Sequence, residues 1–357
     1  MGPRGNRRHR GPTQGQTRLR EGGHHDAVRS SDNHTVYKWG HKWVTLSVVI
    51  KFPFASRPWA LPVLEALYRP EELKGAEGRR HKTPAQLARG LMAALMHWFP
   101  ERKFVFLGDG GYASHQLARF CRRYRRRCAL VSRFHANAAF YEPPPKYGGH
   151  GRPRVKGKKL RVGGEVVAGG DLIETVVDWY GATERNVKVI SGSGQWYKAG
   201  QGLVPVQWVF VRDATGTHRD EYFYCTLPGV FTAEQIVSFY TRRWNIEVTF
   251  QEIRAHLGFE TTRHWAEKSV LRVAPLLMGL FSVVCLIYHE HLKRHSVKLN
   301  DRPGYEKTEP TFSDALTTVR ELFWTETFFQ QPYFRRVLKN IPPKMWATIL
   351  AHLAQAV

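Results

Sequence analysis

The chain of 357 residues is long enough for one large domain with an insertion, or for two domains. Its 42% hydrophobic content, with 13% aromatic residues, supports a buried core and excludes wholesale disorder. The formal net charge of +24 is spread along the chain and favours a polyanion such as nucleic acid as partner. The alternative is a merely basic soluble protein.

The first half of the chain carries alternating strand and helix patterns, which predict an α/β domain. Residues 1–22 are rich in Arg, Gly and Pro and are predicted to be a basic disordered tail. The elements predicted after it are a strand over 44–52, a strand over 59–68, a helix from Thr83 to Phe99, a strand ending at Asp109, a helix over 115–127 and a strand over 128–134.

The α/β pattern breaks at Tyr141. Segment 141–164 has too much Pro, Gly and Lys for a core element. The next ninety or so residues hold short runs of β-type residues joined in part by a hairpin turn over 213–220, and they predict an all-β insertion. These runs are 174–180, 186–190, 205–213 and 221–227.

Helices are predicted again from Thr232 onward. A capping box of Thr232 and Gln235 begins one long helix, and Gly258 ends it. A further helix over 266–293 is predicted to be a core helix, because its apolar run is short for a membrane span. The region beyond residue 296 is polar at first and then helical with many aromatic residues.

The helix after Thr232 places two glutamates on different sides. On one continuous helix, Glu252 faces water, whereas Glu247 lies on a narrow strip that borders the apolar stripe. The strip contains Tyr240, Arg243, Glu247 and Arg254. Glu247 either takes part in chemistry or forms an ion pair with Arg243.

Asp109 is the second candidate acid. It ends an apolar strand and precedes two glycines, so it can project into a crevice at the strand's carboxyl end; the alternative is a plain Asp-Gly turn. A strand-end Asp, a helix-edge Glu and a basic chain together fit phosphodiester cleavage with divalent metal ions, since Mg²⁺ prefers hard oxygen ligands.

The stretch YTRRWNIEVTFQEIR, residues 240–254, resembles the Tyr-x2-Arg-x3-Glu-x6-Lys signature of bacterial DDE insertion-sequence transposases, with Arg254 where Lys is usual. FLGDGGYA around Asp109 is similar to the family's second-Asp segment, and residues 24–68 are similar to the region after its first Asp. The resemblance spans residues 22–295.

The resemblance implies an RNase H-like core interrupted by a β-rich insertion, with a helical C-terminal region. The implied boundaries are 1–22 for the tail, 23–135 for the first part of the core, 136–228 for the insertion, 229–295 for the second part of the core and 296–357 for the C-terminal region.

The resemblance also implies a function: Mg²⁺-dependent strand cleavage and transfer at insertion-sequence ends, with Mn²⁺ able to substitute. Asp109 and Glu247 would be the catalytic metal ligands. Tyr240, Arg243 and Arg254 would contact DNA phosphates, with the planar fork of Arg254 in place of a lysine ammonium. The implied partners are double-stranded DNA of transposon ends and target, bound by a homodimer, with no membrane.

The cysteines and the N-terminus bear on localisation. Cys121, Cys128, Cys225 and Cys285 form no CxxC pair and are expected to be buried or incidental thiols in a reducing compartment. No apolar signal core is visible at the N-terminus. With the resemblance, this predicts a cytoplasmic, nucleoid-associated bacterial protein.

The N-terminal region departs from the family pattern. No strand or Asp precedes Asp26, where the family has its first catalytic Asp, and the family's N-terminal DNA-binding helices are not found. We therefore expect an N-terminally truncated transposase with two of three carboxylates, and an exposed sheet edge where the central first strand would lie. Asp26 or Asp32 as a substitute, and a loop metal site of His24, His25 and Asp26, are the alternatives.

Two questions stay open at this stage. The chain is either a transposase of doubtful activity, a catalytically silent DNA-binding remnant, or another RNase H-like nuclease. In some relatives a tryptophan of the insertion stacks on a flipped base. Trp196 and Trp208 are either its counterparts or ordinary core aromatics, and the core assignment is favoured.

Overall fold

The computed structural model describes residues 22–25, 34–71, 80–135, 138–160, 170–181, 183–261, 266–297, 299 and 306–355. This part of the chain forms a seven-stranded sheet, two separate strand pairs and helices packed against them. The protein is therefore an α/β protein, as the sequence predicts. Residues 1–21, with most of the predicted tail, lie outside the described residues, as do Asp26 and Asp32.

Strand β1 (Gly22–His25) pairs antiparallel with β2 (Tyr37–Gly40). The prediction that His24 and His25 lie in a polar loop is wrong for their backbone. The physical reason is that β2 supplies the hydrogen-bonding partner, which the polarity of GGHH does not indicate.

Strands β3 (Lys42–Ile50) and β4 (Trp59–Tyr68) form an antiparallel pair. One face contributes Leu46 and Leu64 to the core beneath the large sheet, while the other packs on the C-terminal helices. Helix α1 (Pro84–Trp98) follows, and Thr83 caps it with the predicted start at Pro84.

Strand β5 (Phe104–Gly108) pairs in parallel with β6 (Cys128–Arg133), and helix α2 (His115–Arg123) connects them. The predicted helix over 115–127 is too long, because residues 124–127 form a turn. Within the described strands β5 pairs with β6 alone, so it forms an edge of the seven-stranded sheet. Asp109 follows the carboxyl end of this edge strand.

The predicted β runs all form strands. They are β8 (Ile173–Asp178), β9 (Glu184–Lys198), β10 (Gly202–Asp213) and β11 (Glu221–Cys225), with a short β7 (Phe140–Tyr141) beforehand. The sheet order is β5-β6-β11-β10-β9-β7, with β8 also paired to β9. These strands thus extend the sheet of β5 and β6. Strand β9 is longer than predicted because it pairs with β10 along the whole of β10.

The helical part begins with α3 (Ala233–Arg242) and α4 (Asn245–Leu257). The Thr232 capping box and the Gly258 stop are as predicted, but the prediction of one continuous helix is wrong. At the interruption, the N–H groups of Arg243 and Trp244 bond carbonyls three residues back instead of four.

Tertiary anchors explain the interruption between α3 and α4. The hydroxyl of Thr241 donates to the carbonyl of Asp178 in β8 at 2.8 Å. The hydroxyl of Thr249 donates to the carbonyl of Ala60 in β4 at 2.7 Å. The two halves are therefore fixed to different sheets, and the tightened turn lies between the anchors.

The remaining helices are α5 (Glu267–Leu292), α6 (Phe312–Leu322), α7 (Pro332–Leu338) and α8 (Pro343–Gln355), with a π-helical turn over Phe323–Phe328. Helix α5 packs one face in a core with β4 and α6 and exposes the other. The predicted core helix is therefore half-buried. Within the described part, α5 alone has the length and apolar composition of a membrane span, as the core helix of a soluble protein also can.

The core settles two smaller predictions. Trp196 and Trp208 are both buried in the cluster beneath the sheet, so each is a core aromatic. All four cysteines are buried and free, as expected.

Candidate active site

Asp109 is exposed just beyond β5, and its side chain takes part in a local turn. Its Oδ1 accepts a hydrogen bond from the N–H of Gly111 at 2.8 Å, and its backbone carbonyl accepts one from the Ser132 hydroxyl at 2.9 Å. The Asp-Gly turn considered for this sequence is therefore present. It occupies one carboxylate oxygen, while Oδ2 accepts no hydrogen bond from the described residues.

Glu247 lies in the first turn of α4 and forms the predicted ion pair. Arg243 Nη1 donates to Glu247 Oε1 at 2.8 Å. The Arg243 side chain is 15% exposed and that of Glu247 is 40% exposed. The guanidinium is thus held inside the protein, and the carboxylate reaches towards solvent.

The two predicted acids, Asp109 and Glu247, both raise the pKa of the Arg243 guanidinium. Burial disfavours the charged form of Arg243, but the hydrogen bond from Arg243 to Glu247 and the charges of Glu247 and Asp109 outweigh it, so the pKa of Arg243 lies above its ordinary value. Residues 109 and 247 are far apart in the sequence. The fold brings their negative charges to one arginine.

Tyr240 is buried, with 3% of its surface exposed. Its ring packs on Phe223 of β11 at 4.2 Å between centroids, and the Arg243 guanidinium lies 5.5 Å from the ring centre. Burial raises the pKa of Tyr240, while the neighbouring charges of Arg243 and Arg133 oppose that rise. Tyr240 therefore forms a cation–π contact with the Arg243 guanidinium on the buried side of the site.

Three residues that the sequence did not single out extend this site. Arg133, the last residue of β6, forms an ion pair with Glu221, the first residue of β11. Tyr180 donates its hydroxyl to the other oxygen of Glu221 at 3.3 Å. The aliphatic stem of Arg133 lies against Gly110, the neighbour of Asp109. The available signal was that Arg133 ends β6 and Glu221 begins β11, but it requires the strand order, which makes these strands neighbours.

Glu252 and Arg254 lie further along α4. The Glu252 side chain is 23% exposed and lies 3.3 Å from His256, so the prediction that it faces water is wrong. Residues 309–312 and Arg57 line the same pocket, and burial raises the pKa of Glu252. Arg254 is 48% exposed, with its Nε 3.5 Å from Glu260.

The carboxylate oxygens of Asp109 and Glu247 are ligands of the chemical type that a divalent cation such as Mg²⁺ prefers. Asp109 and Glu247 each have one carboxylate oxygen outside the hydrogen bonds described above, and Mg²⁺ is commonly held by one or two carboxylates while it keeps several waters. Among the described residues, no group of three His, Cys, Asp or Glu side chains is placed to hold a metal. A metal here would complete its coordination with water or substrate oxygens.

The fold and the site define an α/β protein in which the charges of a strand-end Asp and a helical Glu meet at a partly buried arginine. Residues 74–271, more than half of the chain, match the transposase DDE domain. The chain therefore belongs to the transposase DDE domain family, whose substrate is DNA and whose members typically use a divalent metal. The matched range contains all five predicted site residues. No curated protein matches the chain.

Proposed function

We propose that this protein is an insertion-sequence transposase that cleaves and joins DNA strands at the ends of its element with Mg²⁺, for which Mn²⁺ can substitute. One observation carries the proposal: the Glu247 carboxylate accepts a hydrogen bond from Arg243, and the negative charge of Asp109 raises the pKa of the same guanidinium. The family match and the charge of +24 support DNA as the substrate.

In the proposed reaction, Asp109 and Glu247 would hold the metal. Bound Mg²⁺ supplies activation of the attacking oxygen and charge stabilisation at the leaving oxygen. Arg243 orients the Glu247 carboxylate through its 2.8 Å hydrogen bond, and Tyr240 supports the guanidinium. Exposed Arg254 is available for a bidentate contact with a DNA phosphate.

The proposal includes the family architecture. Residues 23–135 and 229–295 would form an RNase H-like core, and 136–228 a β-rich insertion that extends its sheet. The antiparallel β3–β4 pair and the parallel β5–β6 pair joined by α2 support this assignment. A homodimer acting on DNA in the bacterial cytoplasm, at the nucleoid, is part of the same proposal.

A second candidate is a catalytically silent DNA-binding protein. It is favoured by one observation: among the described residues, no group of three His, Cys, Asp or Glu side chains is placed to hold a metal. A metal site with fewer protein ligands is expected to bind its ion more weakly. Basic residues would then bind DNA without cleavage.

The test is nicking of a supercoiled plasmid that carries the DNA flanking this coding frame, with and without Mg²⁺. Wild type is expected to nick it only with Mg²⁺ or Mn²⁺, and Glu247→Gln to lose roughly 100-fold or more of the rate. Glu252→Gln on the same helix is the matched control and should keep the activity.

The outcomes separate the candidates. Cleavage that survives Glu247→Gln contradicts the catalytic assignment. Absence of cleavage by wild type, together with salt-sensitive binding of the same DNA, supports the silent DNA-binding protein.

A further inference from the structure

The sequence RRYRRR at residues 122–127 is the densest group of cations in the described part of the chain. The first two arginines end helix α2, and the last four residues form the turn into β6. The turn is closed by hydrogen bonds from the N–H groups of Arg127 and Cys128 to the carbonyl of Tyr124. The group therefore lies in a defined turn at the start of a sheet strand.

Arg127 differs from its neighbours because its guanidinium caps helix α1. Its Nη2 donates to the carbonyls of Met96 at 2.8 Å and Phe99 at 3.0 Å, and its Nε donates to that of Arg102 at 3.3 Å. The Met96 carbonyl belongs to the last turn of α1, where carbonyls have no partner within the helix. Arg127 thus has a structural role and fixes the turn against α1.

The other four arginines have no such role. Arg123, Arg125 and Arg126 are exposed and Arg122 is half-buried, and none forms a hydrogen bond or ion pair with a described residue. Residues 98–103, which Arg127 joins to this turn, add Arg102 and Lys103. Across 98–103 and 122–127 there are seven Lys or Arg residues and one acid, Glu101.

Exposed aromatic residues accompany these cations. Tyr124 is 40% exposed, Trp98 is 58% exposed and Phe99 is 49% exposed. The Arg123 guanidinium lies 5.9 Å from the Tyr124 ring centre. Arginines without an ion-pair partner among the described residues, beside exposed aromatics on one surface, suit the phosphates and sugars of a nucleic acid.

The position of this group separates it from the candidate active site. Strands β5 and β6 are parallel, so residues 124–127 lie at their amino ends while Asp109 lies at the carboxyl end of β5. The five residues of β5 span roughly 16 Å at about 3.3 Å each. A phosphate bound by these arginines is therefore a different one from a phosphate beside Asp109.

We propose that Arg122, Arg123, Arg125 and Arg126 form a second DNA-contact surface, which binds the backbone of duplex DNA away from the cleaved bond. The inference rests on the proposed function in one respect, that DNA is the partner. This surface would bind a stretch of DNA that the carboxylates do not touch, such as the interior of the element or its target.

The test is the salt dependence of binding to a duplex of about 40 base pairs, measured by fluorescence anisotropy in EDTA so that cleavage plays no part. Replacing the four arginines with alanine should lower the slope of log K against log [salt] by about 3 to 4, since each lost phosphate contact contributes about 0.9. Affinity at about 0.1 M salt should fall at least about tenfold.

The matched control removes the same charge elsewhere. Arg335, Arg336, Lys339 and Lys344 are exposed, in the C-terminal helices or, for Lys339, directly after one. Their replacement with alanine should change the slope by less than about 1. Arg127 stays unchanged in all variants, so that the α1 cap is kept, and thermal melts monitor folding. If the fourfold variant unfolds, Arg122→Ala with Arg126→Ala should still lower the slope by about 2.

Equal slopes in wild type and the arginine variants overturn the inference, as does an equal fall in both fourfold variants, which would indicate a general charge effect. Failure of the proposed function is distinguishable, because it would appear as absent Mg²⁺-dependent nicking while the metal-free slope still depended on the four arginines.

Discussion

Arg243 Nη1 donates to Glu247 Oε1 at 2.8 Å across the interruption between α3 and α4. The ion pair that the sequence allows as a purely structural alternative is therefore present. Asp109 also acts on Arg243, so the pair is part of a larger charged site. A role in stability and a role in chemistry make different predictions for the same variants.

We expect Arg243→Lys to lower the cleavage rate by at least about tenfold, while the free energy of unfolding falls by no more than about 1 kcal/mol. The reason is that lysine keeps the charge but lacks the planar fork that holds Glu247, and partly exposed ion pairs contribute little to stability. Single-turnover cleavage and urea denaturation measure the two quantities. A loss of several kcal/mol with unchanged cleavage would show a structural role alone.

Glu65 predicts a pH dependence of stability. It lies opposite Thr45, whose hydroxyl contacts Met278 of α5, and its Oε1 is buried without a hydrogen bond from the described residues. Burial raises the pKa of Glu65 to about 7. Since the pKa in the unfolded chain is about 4.3, the folded state holds the proton more tightly, and stability should fall as pH rises from about 4.3 to about 7.

We expect Glu65→Gln to reduce this fall and to be more stable than wild type at about pH 8. Urea denaturation across the pH range is the measurement, and Glu142→Gln, at an exposed residue, is the control. A wild-type and Glu65→Gln pair with parallel stability curves would contradict the prediction.

A side chain at Gly194 of β9 is expected to destabilise the fold through steric overlap. A Cβ there would lie 2.4 Å from Phe140 Cε1 and 2.8 Å from Leu160 Cδ1. Gly194→Ala should therefore lower the free energy of unfolding by about 1 to 3 kcal/mol, as overpacking does. Gly90 in α1 has nothing within 4 Å of its Cβ position. Gly90→Ala should instead raise stability by about 0.5 to 1 kcal/mol, and thermal denaturation compares the two.

The Asp213 carboxylate, at the start of the turn between β10 and β11, is expected to contribute to the free energy of unfolding. It is 5% exposed, and Arg185 binds both its oxygens, at 2.8 and 2.9 Å. Burial opposes ionisation, but the hydrogen bonds from Arg185, Thr215 and His218 outweigh it and hold the pKa of Asp213 well below its usual range. This carboxylate therefore stabilises the fold above about pH 4, and that contribution is lost as pH falls further.

Asp213→Asn is expected to lower the free energy of unfolding by roughly 3 kcal/mol, because it leaves Arg185 without its charged partner. Asp220→Asn is the control in the same hairpin. The Asp220 pair with Arg212 is exposed on both sides, so its loss should cost less than about 1 kcal/mol. Similar losses in the two variants, measured in urea at neutral pH, would refute the distinction.

The boundaries of the elements were largely predictable because they depend on neighbours in the sequence. Thr83 and Thr232 cap their helices through residues three positions ahead, and β4 coincides with its predicted range. The hairpin turn after Asp213 follows from its own residues in the same way. Two of the errors occur where a distant segment decides the outcome, at β1 and at the interruption of the helix after Thr232.

The sequence by itself determined the α/β pattern, the basic charge and the choice of Asp109 and Glu247 as candidate acids. Only the tertiary structure brought Asp109 to Arg243, partly buried Glu252, added Arg133 and Glu221, and separated Arg127 from the four arginines beside it. The physical reason is that capping, periodicity and turns arise from short-range hydrogen bonds. Burial and the meeting of charges instead depend on which distant strands and helices pack together.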